Sequence, residues 1–271
     1  PEGYLGPQRT PQVVMVHDLR PLSHPERSLQ TLYFKSWVPH LLRASQHVLT
    51  NSVFTANEIQ RCTGLPDSKI SVIPLGYDRE HFKLAAPSRW IPQQPYLLHV
   101  GQAYPHKNLC RLVRVFARVA SKHPDLLLVL AGKPHRSQTP LLKQMVHDLG
   151  LERRVVFLSY VPYKDLSDLY RGAAIFVFPS LWEGFGLPLL EAMACGTPVI
   201  TSLGSATEEV ASTSAWLVDP HDDSDLQHAL ERLLQDQSLC IQLRESGLKR
   251  VLNYSWSSCA MRTKHVLHSM L

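Results

Sequence analysis

Short β-branched or apolar runs alternate with amphipathic segments along the whole chain, the order that a parallel sheet with helices on both faces requires. Strands are expected at 13–16 (VVMV), 47–50 (HVLT), 71–73 (SVI), 96–100 (YLLHV), 126–131 (LLLVLA), 155–158 (VVFL), 175–178 (IFVF), 198–201 (PVIT) and 216–218 (WLV). Several are apolar on both faces, as strands buried inside an α/β layer are. Helices are expected at about 29–44, 52–63, 107–121, 139–149, 163–172, 187–195, 223–235 and 255–270, several opened by a Ser, Asp or Pro suited to an N-terminus. The stretch 85–95 (AAPSRWIPQQP) breaks the pattern with Pro, Gln and Ser and reads as a linker between domains. No internal repeat and no low-complexity tract interrupts the βα alternation.

A length of 271 residues with 44% apolar composition suits two α/β lobes with a cleft between them. The net charge of +5 fits an anionic ligand or a membrane surface, and because the basic residues are scattered rather than blocked, nucleic acid is not favoured as a partner. Cys62, Cys110, Cys195, Cys240 and Cys259 are odd in number and far apart, which argues against a disulfide framework and for a reducing cytoplasm. No run reaches the roughly 18–20 apolar residues of a membrane span, and the opening PEGYLGPQRT has no signal-peptide apolar region. The expected location is therefore cytoplasmic, with any membrane contact peripheral, at the inner face.

The segment 178–196, FPSLWEGFGLPLLEAMACG, carries the chemistry. A buried strand runs into a loop where Gly184 and Gly186 bracket Phe185, so backbone N–H groups can approach a ligand without intervening side chains. Leu187 and Pro188 then start a helix whose N-terminal donors and dipole face the space beyond the strand's carboxyl end, a place for a phosphate. Glu183 precedes the loop and Glu191 follows it in the helix's first turns, opposite the apolar Leu190, Met193 and Ala194. Carboxylates accept well from paired hydroxyls, so one acid can hold a ribose and the other a sugar ring with the phosphates between them. Taken singly, each also has a plain use: Glu183 as a loop-surface charge, Glu191 as an acid near a helix start.

With these words in place the chain resembles the large retaining glycosyltransferase family 4, whose signature is a Glu, seven residues and a second Glu, here Glu183-GFGLPLL-Glu191 followed by AMACGTPVI. The resemblance extends over VHDL (16–19), SVIPLGYD (71–78), HVGQAYPHKN (99–108), LVLAG (128–132), FLSYV (157–161) and LVDPHD (217–222). It implies a GT-B architecture of two Rossmann-like, doubly wound parallel-sheet lobes: a partial N-terminal, acceptor-side lobe over 1–92, a nucleotide-sugar domain over 93–250, and a helix over 251–271 that crosses back to the first lobe. By the same resemblance, Glu191 binds the donor's ribose hydroxyls and Glu183 the transferred sugar. Backbone of Gly184, Phe185, Gly186 and Leu187 meets the sugar and diphosphate, and the segment from Leu158 to Val161 meets the nucleobase. Lys107 would neutralise the leaving diphosphate, as a fixed ammonium at a helix front can, although a solvated first-turn lysine is the plainer use. Beside it stand the strand-end Gly101 and, where many relatives carry an arginine, Gln102 and His106; weaker or more pH-sensitive donor binding is expected. His17, at the end of the first strand, would face the transferred sugar from the other lobe, with Asp18 as a loop cap, and Ser52 caps a helix after Asn51.

Asp223-Ser-Asp225 spells a metal-binding motif of another glycosyltransferase fold, but its place before LQHALERLL assigns it to helix N-capping. Fourteen histidines show no metal-ligand spacing with Cys or acid partners, so no metal site is expected, and no cofactor beyond the nucleotide diphosphate sugar. Tyr33, Phe34, Lys35, Trp37 and Arg43 read as a core-facing stripe, with rest on a membrane bearing a lipid-linked acceptor as the alternative. The chain enters the family's first lobe part-way, so an upstream segment or a partner chain is expected to complete that lobe and its acceptor site. The expected activity is metal-independent transfer of a hexose, with GDP-mannose favoured by resemblance, to a hydroxyl of a glycan or glycolipid with retained configuration. A donor-binding subunit inactive without its partner, and, less favoured, a nucleotide-sugar epimerase, are the other readings.

Overall fold

The structure, a computed structural model, describes residues 12–23, 29–87 and 92–270, so residues 88–91 of the expected linker lie outside the described residues. The first lobe is a parallel sheet of three strands, β1 (Val13–Val16), β2 (His47–Thr50) and β3 (Ile70–Val72), in the order β1-β2-β3. Helices α1 (Arg20–Ser23), α2 (Leu29–Ser36), α3 (Val38–Ala44) and α4 (Val53–Thr63) connect them. Pro39 divides the single helix expected over 29–44: it has no N–H to offer the Lys35 carbonyl, and the chain turns at Trp37 before α3 begins. Phe34, Val38 and Leu42 from these helices pack with Val16, Val48 and Ile59 as the lobe's core.

The second lobe is a six-stranded parallel sheet of β4 (Tyr96–Val100), β5 (Leu127–Ala131), β6 (Val155–Leu158), β7 (Ile175–Phe178), β8 (Val199–Ser202) and β9 (Trp216–Val218). Its order, β6-β5-β4-β7-β8-β9, runs outward in both directions from β4 and β7. Alternation along each strand feeds two cores. Leu98, Phe176 and Phe178 face α7 (Tyr163–Gly172) and α8 (Leu187–Ala194), while Leu97, Ile175 and Val177 face α5 (Leu109–Ala120), α6 (Gln138–Asp148) and α10 (Asp223–Gln235). The remaining helices are α9 (Ala206–Ala211), α11 (Gln237–Arg250) and α12 (Trp256–His268). Tyr77 and Phe82, on the connection after β3, already belong to the second lobe's core, and the Arg79 guanidinium donates to the carbonyls of Leu252 and Tyr254, both at 2.9 Å.

Two local expectations change. The helix expected from 107 starts at Leu109, because Pro105–Lys107 forms a tighter 3-10 turn and Asn108 takes a left-handed φ of 59°. The cap of α10 is Asp222, whose Oδ1 accepts from the Ser224 N–H at 2.7 Å, not the Asp-Ser-Asp pair that follows it. Asp223 instead accepts from Arg111 Nε and Arg114 Nε, each at 2.7 Å, tying α10 to α5. Those guanidiniums, Arg114 foremost, hold its carboxyl down at about 2.

Ser255 caps α12, and none of that helix's side chains is buried. Its start lies directly on the lobe connection: a Cβ added to Gly76 would stand 2.1 Å from the Trp256 nitrogen. No rotamer relieves a clash with backbone, so Gly76→Ala is expected to cost about 1–3 kcal/mol and to lower the melting temperature by about 2–10 °C in a calorimetric scan. An unchanged melting temperature would show that the two segments do not need this approach.

Candidate functional site

The order of the second sheet reverses between β4 and β7, and in an open α/β sheet the crevice beyond such a point is where ligands bind. The two loops that leave these strands meet there, joined where the Leu181 N–H donates to the His106 carbonyl at 2.7 Å. Lys107 Nζ lies 2.5 Å from Glu183 Oε1 and 4.7 Å from the centre of the Phe178 ring, so the ammonium sits between a carboxylate and an aromatic face. Both side chains are largely withdrawn from water, at 14% and 13% exposure.

These loops line a cleft of about 340 Å³ with Gly101, Gln102, Tyr104, His106, Lys107, Trp182, Glu183 and Gly184, faced by Asp18 and Arg20 from the first lobe. The expected residues Lys107, Glu183, Gly101, Gln102, His106 and Gly184 are therefore brought together. His106 is mostly buried, its ring stacked on Tyr104 at 5.6 Å. Leu158 lines an adjoining hollow that also includes Gly101, Gly132 and Lys133, so the two spaces share the Gly101 backbone. Val161 packs against the second lobe's core rather than lining either space.

The glycine loop is held from the first lobe. A Cβ on Gly184 would stand 2.2 Å from the His17 carbonyl oxygen, which means the two backbones touch. The Ser52 hydroxyl donates to the Gly184 carbonyl at 2.8 Å while accepting from the Thr55 N–H, so the expected cap also grips the loop. Glu209 of α9 accepts from the Val53 and Phe54 N–H groups at 3.0 and 3.1 Å, placing its charge at the start of α4. His17 itself is exposed at the end of β1. Phe185 buries its ring against Tyr254, 5.9 Å between centres, and neither it nor Gly186 nor Leu187 lines the cleft. Gly186 takes a left-handed φ of 108° and α8 starts at Leu187.

Glu191 is more buried than its place on α8 suggested. The Tyr170 hydroxyl donates to Glu191 Oε2 at 2.8 Å, and burial pushes this carboxyl up to about 7 although that hydrogen bond draws it down. It does not line the cleft beside Glu183: the two acids stand with separate partners, Lys107 and Tyr170.

Sequence reasoning missed Arg20, Trp182, Tyr170 and His99. His99 is wholly buried beneath Gly101, its Nδ1 3.0 Å from the Val177 carbonyl and its Nε2 without a partner among the described residues. Burial, and then the Lys107 charge, push it down to about 3, so the ring is neutral. A polar residue inside the apolar strand YLLHV was its only signal. Among the described residues no cluster of three or more His, Cys, Asp or Glu could hold a metal ion, and no helix is long and apolar enough to cross a membrane.

The sequence profile of glycosyl transferases group 1 matches residues 80–250, and that of glycosyltransferase family 4 matches residues 3–81. O-antigen chain mannosyltransferase RfbU of Salmonella typhimurium is 34% identical over 224 residues, covering 83% of this chain, which spans 61% of that relative's length. O-antigen chain mannosyltransferase B of Escherichia coli is 30% identical over 288 residues, covering 97% of this chain and 71% of its own. Among solved structures, sucrose-phosphate synthase of Thermosynechococcus elongatus superposes with a TM-score of 0.84 at 24% identity, covering 95% of this chain and 67% of that one. Anabaena HepE in complex with UDP and glucose superposes at 0.83 and 21%, covering 96% and 72%.

Glu191 also sets a stability test. Folding raises its carboxyl from 4.5 to about 7, so between these values the native state holds a proton that the unfolded chain has lost. Its contribution therefore falls as pH rises through that window and is lowest above it. Glu191→Gln, which cannot ionise, is expected to stabilise the protein by on the order of 1–3 kcal/mol near pH 8 and far less near pH 5. Urea denaturation at the two pH values checks this, and an equal effect at both would contradict it.

Proposed function

The chain belongs to the glycosyl transferases group 1 family, with the GT-B fold, and we propose on that premise that it moves a hexose from a nucleotide diphosphate sugar to a hydroxyl of a glycan or glycolipid, retaining the anomeric configuration. The observation that carries this reading is the Lys107–Glu183 pair at the β4/β7 crevice, where Pro188 brings the start of α8 into the cleft wall. An incoming diphosphate competes for the ammonium, and the carboxylate it displaces becomes an acceptor for hydroxyls of the sugar. Glu191 accepts from the ribose. As the bond between the anomeric carbon and the diphosphate oxygen breaks, the charge on the leaving diphosphate is met by Lys107, already held in the cleft, and by the dipole at the start of α8. The acceptor hydroxyl bonds to the anomeric carbon, and its proton leaves with the diphosphate. Asp18 and Arg20 close the cleft from the acceptor side, with His17 next to them in the chain.

Metal independence is part of the proposal, supported by Asp223 of the Asp-Ser-Asp word being held by Arg111 and Arg114. Leu32 and Trp37, 63% and 58% exposed on either side of the exposed Lys35 in the chain, support contact with an anionic membrane surface carrying a lipid-linked acceptor. The relatives named as mannosyltransferases make GDP-mannose the first donor to test, and the UDP complex of the Anabaena protein makes UDP-glucose the second.

Incubating the purified chain with each donor tests the reading. Sugar release or transfer is expected, falling by roughly 10²–10³-fold in Glu183→Ala, with the product's anomeric configuration read by NMR. Donor binding without turnover would leave a donor-binding subunit as the function, and turnover unaffected by Glu183→Ala would remove the role of that carboxylate.

A further inference from the structure

We infer that Tyr170 is a positioning residue of the donor site, its hydroxyl fixing the direction of the Glu191 carboxylate and keeping it an acceptor for the ribose; this rests on the donor-site reading above. Tyr170 lies on α7, Glu191 on α8, and the phenol donates to Oε2 at 2.8 Å, leaving the carboxylate's second oxygen for a ligand. The ring is entirely buried and wedged edge-on between Phe82 and Phe176, with centres at 5.8 and 5.3 Å. Its backbone carbonyl accepts from the Thr197 hydroxyl at 2.6 Å. A donor so confined is already in place before any ligand arrives, which is what precise orientation of a carboxylate demands.

The same contact decides which form of Glu191 the ligand meets. Burial favours the neutral acid, while a phenol hydrogen bond favours the carboxylate, and the balance falls near neutrality. The neutral acid carries a proton of its own and is the poorer acceptor for a ribose hydroxyl. Around Glu191 stand Tyr163, Tyr170 and, one turn along its own helix, Cys195; burial raises all three, to about 12 for Tyr163 and Cys195 and well above the ordinary phenol value for Tyr170. Arg171 and Asp168, beyond Cys195, are paired with each other at 2.8 Å. His81 stacks on Tyr163 at 4.4 Å and is the neighbouring histidine to be controlled for. Nucleotide affinity should thus rise with pH as Glu191 ionises.

The test is calorimetric titration of GDP and UDP into the full chain between about pH 5 and pH 9, for the wild type, Tyr170→Phe, Glu191→Gln and His81→Asn. Wild type and His81→Asn are expected to gain affinity with the same midpoint. Tyr170→Phe is expected to move that midpoint up by about one pH unit and to bind about fivefold more weakly at neutral pH, recovering at high pH. Glu191→Gln is expected to bind weakly and without pH dependence. Infrared titration of the carboxyl band absent from Glu191→Gln gives the same midpoint without nucleotide and shows that Tyr170→Phe is folded. An unshifted midpoint in Tyr170→Phe overturns the role of Tyr170 while leaving the donor site standing. Wild-type affinity in Glu191→Gln overturns the donor-site reading itself.

Discussion

Lys107 and Glu183 come from loops 76 residues apart in the chain, yet their charges meet at 2.5 Å where the second sheet reverses its order. Each charge, largely withdrawn from water, is tolerable because the other is present. Removing Glu183 would strand the ammonium over the Phe178 ring, against which the neutral His99 stacks at 5.5 Å, and removing Lys107 would strand the carboxylate without its cation. A polyanion can separate the pair without that penalty, since it supplies the ammonium with a stronger partner and leaves the carboxylate facing the ligand's hydroxyls. The site is thereby assembled as an internal mimic of the complex it is proposed to form.

The parts of this arrangement that depend on near neighbours in sequence were readable in advance. Strand positions followed from apolar runs, and the glycine loop from the two glycines that flank Phe185. The acids were recognisable through their seven-residue spacing. What escaped depended on distant partners or on weak patterning. The hydroxyl of Tyr170, 21 residues from Glu191, turned a presumed cleft acid into a half-buried one. Ser52 and Gly184 are 132 residues apart, so nothing local announced that a helix cap would also hold the donor loop. Helix α11 went unread because QSLCIQLRESGLKR is nearly uniform in polarity around its axis, Gly247 being its one buried residue, packed on Met193. Asp223 was misassigned for a related reason: Asp222 supplies the local cap, and Asp223 is committed to arginines on α5.

The lobes share more than a hinge. Ser52 reaches the loop from α4, Glu209 answers from α9 to the start of that same helix, and Phe54 meets Trp182 edge-on at 4.7 Å. These contacts straddle the loop that carries Glu183, so the position of the first lobe and the shape of the donor loop are coupled through ordinary hydrogen bonds and ring packing.

The touching backbones of Gly184 and His17 give that coupling a mechanical limit. Main chain against main chain has no rotamers to yield, so the contact acts as a doorstop, setting the least separation the jaws can reach however tightly a ligand draws them together. The narrowest gap between the lobes at this point is then set by the peptide skeleton, which substitutions of side chains elsewhere along the cleft leave in place.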